Sequence, residues 1–347
     1  MDGPCTSKPG KILILKPSSL GDVVHALPVL RLLKKQFPES QIHWWISQSF
    51  APLLEGDRDI AKLHLFKRNE FNSIRGWIHL FQTARRLRNE QFDWVLDLQG
   101  LARSAIMAWL ARGKLTVGMN TRREGASAVC DLLVDRAPDE HAVDWYLGAL
   151  RTLKIPQACE FDWLPARPDW ASQFKLKWPA NGGKWVAIAP GARWDTKRWP
   201  PDYFKRAIEL LLKKDAHLSV AIFGDKSDAP IGAALASVNP QRCLDLTQRT
   251  SLPELVEWIR HSEILLTNDT GTMHIAAALK KPVVALFGAT NPNKTGPYGQ
   301  SSQVVKVALP CSPCMKRVCK NVRQLECLRL ITPEQVAETV WRRMAAV

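Results

Sequence analysis

The sequence predicts an α/β protein of two domains, each built on a parallel sheet. Short apolar runs ended by Gly, Asp or Pro alternate with longer amphipathic stretches, the spacing of strand–helix–strand units. Midway the alternation stops at Phe161-Asp-Trp-Leu-Pro-Ala-Arg-Pro-Asp-Trp170 and Trp178-Pro-Ala-Asn-Gly-Gly183, where Pro and Gly punctuate a stretch with no period. A length of 347 residues, at roughly 150 per domain, agrees with two domains.

In the first half, strands are expected over Lys11–Lys16, Gln41–Ile46 and Trp94–Leu98, and helices over Val23–Phe37, Ile78–Asn89 and Ala102–Arg112. Pro28 either starts the first helix or kinks it. In the second half, strands are expected over Trp185–Ala189, Ser219–Phe223, Ile264–Thr267 and Val283–Phe287. Helices are expected over Tyr203–Lys214, Pro253–Arg260, Thr272–Lys280 and Pro333–Met344. The boundaries follow: a first domain over 1–165, a linker over 166–183, a second domain over 184–330 and a C-terminal helix within 331–347.

Composition excludes disorder, at 46% hydrophobic and 23% charged. Charge is the departure: 48 Lys plus Arg against 33 Asp plus Glu leave +15, with a pI near 9.6. Three windows hold the excess, 62–88 at +6, 103–123 at +5 and 301–330 at +5. Clustering of this kind points to an anionic partner. No segment reaches the ~18 apolar residues of a membrane span. The first apolar run, Ile12 to Leu15, is shorter than the ~7 residues of a secretory signal. A cytoplasmic chain is therefore expected, with its eight cysteines as thiols or metal ligands before disulfides.

In parallel sheets ligands bind beyond the carboxyl ends of the strands, so the strand-to-helix turns carry the chemistry. The first is Lys16-Pro-Ser-Ser-Leu-Gly-Asp22, where Asp22 is either a helix-capping residue or a general base facing a cleft. The second is Ala189-Pro-Gly-Ala-Arg-Trp-Asp-Thr-Lys-Arg-Trp-Pro200; Gly191, Arg193, Lys197 and Arg198 outside a strand end suit an anionic ligand, or form a solvated basic loop. The third is Leu265-Leu-Thr-Asn-Asp-Thr-Gly-Thr-Met-His274, whose N–H groups around Thr270 to Met273 open a helix and suit a phosphate. His274 is a further donor or a structural histidine.

Other motifs fail. Asp269-Thr-Gly-Thr matches the aspartic-protease signature, but there is no second copy to pair the carboxylates. Gly288 to Gly296 mimics a phosphate-binding P-loop but has Asn293 before the lysine. Neither a Gly-x-Gly-x-x-Gly fingerprint nor a His-Glu-x-x-His zinc motif occurs. Cys311, Cys314, Cys319 and Cys327 fall within 17 residues, a spacing suited to a structural zinc or iron site and equally to free thiols.

Three motifs lie in order: Lys-Pro-Ser-Ser-Leu-Gly-Asp-Val-Val-His, Pro-Gly-Ala-Arg-Trp-x-x-Lys-Arg-Trp-Pro and Asn-Asp-Thr-Gly-Thr-Met-His. With Asp97-Leu-Gln-Gly-Leu-Ala-Arg-Ser104 and the cysteine segment, the chain resembles glycosyltransferase family 9, the ADP-heptose:lipopolysaccharide heptosyltransferases. The resemblance runs from Lys11 to the C-terminal helix. It implies a GT-B fold, two Rossmann-like parallel-sheet domains facing across a cleft, acceptor on the first and nucleotide sugar on the second, with the last helix returning to the first. The implied reaction is an inverting transfer of heptose from ADP-heptose to the lipopolysaccharide inner core, needing no catalytic cofactor.

By motif position the resemblance makes Asp22 the catalytic base and Lys197 the diphosphate-binding lysine. Gly191, Arg193, Asp228, Asp269, Thr270, Gly271, Thr272 and His274 complete the implied nucleotide-sugar site. Arg193 stands where some members carry a small hydroxyl residue. Ser19, Gly21, Lys67, Arg68, Arg103 and Arg123 fall at or near acceptor positions. Implied partners are ADP-heptose, an inner-core or lipid A acceptor, and the anionic inner face of the inner membrane, held peripherally. A sugar-nucleotide epimerase or hydrolase would share the fold. Nucleic acid is not expected: no such motif appears, and most of the 14 tryptophans sit in expected elements or Trp-Pro turns.

Overall fold

The computed structural model describes residues 8–67, 74–157, 162–177, 183–300 and 304–346. The chain divides between Trp163 and Leu164 into two units. In the first, the element order is β1 (Lys11–Leu15), α1 (Leu20–Gln36), β2 (Gln41–Ser47), β3 (Lys62–Phe66), α2 (Ile74–Asn89), β4 (Trp94–Asp97), α3 (Ala102–Ala111), β5 (Leu115–Met119), β6 (Leu132–Val134) and α4 (Ala142–Thr152). The six strands form one parallel sheet in the order β3-β2-β1-β4-β5-β6. Helix α1 packs with α4, and α2 with α3; right-handed crossovers put the two pairs on opposite faces. Central strands covered on both faces read as unbroken apolar runs, and Ile12 to Leu15 of β1 are fully buried.

The second unit holds α5 (Pro168–Lys177), β7 (Lys184–Ala189), α6 (Pro201–Lys214), β8 (Leu218–Ile222), α7 (Ala229–Ala236), β9 (Cys243–Asp245), α8 (Leu252–His261), β10 (Ile264–Asn268), α9 (Gly271–Ala278), β11 (Val283–Phe287), α10 (Pro292–Thr295), β12 (Val304–Lys306), α11 (Glu326–Arg329) and α12 (Pro333–Ala345). Its parallel sheet runs β12-β11-β10-β7-β8-β9. Each unit thus starts at a central strand, builds outward to one edge, and returns to the other side of that strand. That is the Rossmann order, with a topological switch point beside β1 in one unit and β7 in the other.

Two expectations change and one open choice narrows. The stretch 166–183 is not simply a linker, because α5 lies inside it, with Phe174 buried against Trp258 of α8 at 5.2 Å between ring centroids. Of the two readings of Pro28, a helix start is excluded, because it sits inside α1. The C-terminal helix α12 belongs to the second unit: Val336, Ala337 and Val340 join Phe204, Ile208 and Leu211 of α6 in one core. Its apolar stripe finds a matching amphipathic helix there, tied further by Lys214–Glu338 at 3.0 Å.

Candidate active site

The turn after β1 is held from both ends. Ser19 caps α1 while Asp22 Oδ2 accepts from Ser19 N at 3.0 Å and Ser19 Oγ at 2.7 Å, so the capping reading of Asp22 is realised. The other oxygen does something a cap does not need: Asp22 Oδ1 accepts a 3.1 Å hydrogen bond from the Tyr146 hydroxyl of α4. Beneath both lies Lys16, buried at the end of β1, its Nζ donating to Leu98 O at 2.9 Å and standing 4.4 Å from the centre of the Tyr146 ring.

Burial acts to raise the Asp22 pKa, but the Lys16 ammonium and the Ser19 and Tyr146 hydrogen bonds outweigh it and hold the group below the usual carboxylate range. Burial lowers the Lys16 pKa against the pull of Asp22 and Asp97, and raises that of Tyr146 well above 10.0 with Asp22 adding to it. Asp22 is therefore an ionised carboxylate with two fixed oxygens.

At the neighbouring strand end, buried Asp97 accepts from Gln99 N and Gly100 N at 3.0 Å and from Ser104 Oγ at 2.9 Å. Gly100 has φ +62, and a Cβ there would meet Met119 O at 2.6 Å, so no other residue fits. Thr121 Oγ1 donates to Gly100 O at 2.6 Å, and Ala102 N donates to Glu124 Oε2 at 2.9 Å. These bonds bring the loop of Arg123 against the start of α3, where Arg103 is exposed. Gly21 is buried in the first turn of α1, and Lys67 is exposed just past β3. All these positions lie on the carboxyl side of the sheet; Arg68 lies outside the described residues.

In the second unit β7 and β10 are adjacent, with Ala189 level with Thr267, so their loops leave the sheet side by side at the switch point. Asn268 stitches them, donating from Nδ2 to Pro190 O at 2.6 Å and accepting from Trp199 N at 3.2 Å. Lys197 then meets Asp269, Nζ to Oδ2 at 2.7 Å, and Thr290 Oγ1 donates to the same oxygen at 2.6 Å. The Lys197 ammonium also stands 4.8 Å from the Trp194 ring centre. Thr270 is the N-cap of α9 and Gly271 its first residue, so the first-turn N–H groups, which have no acceptor within the helix, open it beside this lysine. Buried His274 follows one position on from Met273, and Arg193 is exposed on the preceding loop.

Asp228 is brought to the same end of the sheet. Its Oδ2 accepts from Asp225 N at 3.1 Å, while its buried Oδ1 has no hydrogen-bond partner among the described residues. Burial raises its pKa. A Cβ on Gly191 would fall 2.2 Å from Asp228 Oδ2, so the glycine is what admits this carboxylate.

The four late cysteines line one cavity of about 260 Å³ with Thr196 and Gly288. Asn321 Nδ2 donates to Cys311 Sγ at 3.0 Å and Leu325 N to Cys319 Sγ at 3.4 Å, and burial with the neighbouring thiols raises the Cys327 pKa. The donor set fits a structural thiolate site. Among the described residues, however, only His43, His64 and Glu90 form a group whose donor atoms all lie within 4.8 Å, so an ion would have to draw the sulfurs inward. In that histidine group Glu90 is already neutralised by Lys62 at 2.6 Å and Lys11 at 3.0 Å. It is a structural cluster at the amino end of the sheet.

Lys16, Tyr146 and Thr290, which the structure adds to these strand-end clusters, are not among the sequence candidates, and Asp97 enters only as part of its motif. A lysine ending an apolar strand run is a signal for Lys16; Tyr146 carries none, since only folding brings α4 beside α1.

Two Rossmann-like units, each with polar residues gathered at its switch point, define the GT-B class of group-transfer enzymes. Residues 80–324 match the model of glycosyltransferase family 9 (heptosyltransferase), and the chain belongs to that family and is a glycosyltransferase. It is 28% identical over 321 residues to lipopolysaccharide heptosyltransferase 1 of Pseudomonas aeruginosa, covering 89% of this chain and 87% of that one. The glycosyltransferase family 9 structure from Veillonella parvula shares the fold at a TM-score of 0.81 and 22% identity, over 97% of this chain and 98% of that one. An E. coli heptosyltransferase solved with ADP-2-deoxy-2-fluoro heptose shares it at 0.76 and 22% identity, over 96% and 99%.

Proposed function

We propose that this chain moves heptose from ADP-heptose to a Kdo or heptose acceptor of the lipopolysaccharide inner core, with inversion. The observation that carries the reading is the Lys197–Asp269 pair at 2.7 Å beside the open N-terminus of α9. A nucleoside diphosphate leaves readily if its growing charge is stabilised, and a lysine beside unpaired helix N–H groups supplies that. Asp269, itself fixed by Thr290, holds the lysine, Gly271, Thr272 and His274 face the phosphates, Arg193 flanks them, and the unpartnered Oδ1 of Asp228 accepts a ribose hydroxyl.

In the first unit Asp22 takes the proton of the acceptor hydroxyl as that oxygen attacks the anomeric carbon from the face opposite the diphosphate. One base suffices because the leaving group needs no protonation. Ser19 and Gly21 shape the turn that presents the carboxylate, and Lys67, Arg68, Arg103 and Arg123 bind the anionic acceptor. The names of the relatives and the ADP-sugar in the E. coli structure support donor and acceptor class. No step passes through a metal; Cys311, Cys314, Cys319 and Cys327 hold a structural zinc or iron ion. The chain works at the anionic inner face of the inner membrane, and among the described residues no helix is long and apolar enough to cross a membrane.

The test is ADP release from ADP-heptose with and without an inner-core acceptor, with the product's anomeric configuration read by NMR. Acceptor-dependent release with inversion is expected. Release without acceptor, or an altered nucleotide sugar, would mean a hydrolase or epimerase.

A further inference from the structure

Helices α2 and α3 bury one side together: Ala84 and Leu87 of α2 and Met107, Ala108 and Ala111 of α3 share a core with β1 and β4. Their other sides therefore form one outward surface. That surface carries large apolar side chains, Ile78 at 55%, Phe81 at 67%, Ile106 at 40% and Trp109 at 61% exposure. On α3 the exposed positions follow at intervals of three, Arg103, Ile106, Trp109 and then Arg112 just past the helix. On α2, Ile78 and Phe81 lead into exposed Arg85, Arg86 and Arg88. Neither helix contains a single Asp or Glu.

Apolar and aromatic groups standing out of a surface whose remaining charges are all arginine suit one environment: the headgroup layer of an anionic bilayer. There the rings enter the acyl boundary and each guanidinium stays at phosphate level. A solvated helix face needs neither exposed Phe and Trp nor the absence of acids, and an aqueous protein partner does not call for a uniformly basic rim. We infer that the outer face of α2 and α3 is the membrane-docking surface of this enzyme, with anionic phospholipid as the partner. The inference rests on the proposed action at a membrane-borne acceptor and adds the surface that performs it. It also gives the +6 window at 62–88 and part of the +5 window at 103–123 a common purpose.

The experiment is co-sedimentation of the full chain with vesicles of phosphatidylethanolamine and phosphatidylglycerol, and with vesicles of phosphatidylcholine alone. Binding is expected only to the first and is weakened by salt. Each arginine near an anionic surface contributes about fivefold, so Arg85→Gln with Arg88→Gln should weaken binding roughly 25-fold. Phe81→Ser with Trp109→Ser should reduce it at least as much. Both pairs are exposed, so turnover with a delipidated, water-soluble acceptor and the unfolding temperature should stay at wild-type values. Unchanged vesicle binding in the Phe81/Trp109 variant overturns the assignment, as does a wild-type dimer that this variant converts to monomer. Vesicle binding at this face without any heptosyl transfer would leave the surface standing and remove the proposed reaction instead.

Discussion

The Tyr146 hydroxyl on α4 donates a 3.1 Å hydrogen bond to Asp22 Oδ1 on α1, joining residues 124 apart in sequence. The two oxygens of one carboxylate are thereby divided: Ser19 engages Oδ2 as a cap, and Oδ1, the proposed base, is steered by a phenol. Asp22→Asn keeps the turn and alters no residue of the nucleotide site but removes the proposed base, so kcat should fall about 1,000-fold while ADP binding is unchanged. Near wild-type turnover in that variant would sink the base assignment. Tyr146→Phe removes a stabilising bond from the carboxylate, so kcat should drop about tenfold. The acidic limb of its pH profile should move to higher pH, because the Asp22 carboxyl then holds its proton more tightly.

Lys197 pairs with Asp269, which Thr290 also holds, and in the proposed reaction its ammonium meets the diphosphate. Lys197→Met should lower kcat by ~100- to 1,000-fold, with the unfolding temperature little changed. Steady-state kinetics separate the outcomes: a rise in donor KM with kcat intact would make Lys197 a ground-state binder only.

Gly191 is a small residue with a large duty. A methyl group there would sit 2.2 Å from Asp228 Oδ2, and the backbone cannot give way without moving the end of β7. Gly191→Ala should therefore push Asp228 out of place and weaken ADP binding at least tenfold, leaving acceptor KM alone. Calorimetric titration with ADP decides it, and unaltered affinity would remove Asp228 from the ribose.

Much of this was legible in the sequence because the central strands and their turns are local features. The runs at β1, β4, β7, β8, β10 and β11 are mostly apolar, and the strand ends and the turns after them carry most of the polar residues. The edge strands β6, β9 and β12 span three residues each and have no period to detect. Helix α5 was obscured by the Pro and Trp residues around it, although proline is at home in a first helical turn. The partner of α12 could not be read from the helix itself, since an amphipathic stripe says that a face is buried and not against what. Tyr146 and Thr290 gain their roles only through long-range packing.

The cysteine cavity makes a composition-level prediction. Chain produced with zinc and iron in the medium should carry one metal ion per molecule by elemental analysis. Cys314→Ser with Cys327→Ser should lose the ion and lower the unfolding temperature, with kcat in the surviving folded fraction unchanged. A metal-free wild type with four titratable thiols and full stability would leave the cysteines as plain packing.

His43 and His64 lie together at the amino end of the first sheet, Nδ1 to Nε2 at 3.1 Å, both buried. One ring must donate and the other accept, so the two cannot both be protonated. Burial, with His43 and Lys62 nearby, lowers the His64 pKa from 6.5 to about 4, and burial also lowers that of His43. The unfolded chain therefore binds more protons than the folded one between pH 6.5 and 4. Stability from His64 is complete above pH 6.5 and drains as pH falls toward 4, by roughly 3 kcal/mol. Glu90 adds a second loss further down: the Lys62 hydrogen bond is the main cause that lowers its pKa from 4.5 to about 2, so its contribution disappears only between those values. Urea unfolding across pH should show the midpoint falling in the upper window for wild type and much less for His64→Phe. Parallel profiles for the two proteins would place the acid sensitivity elsewhere.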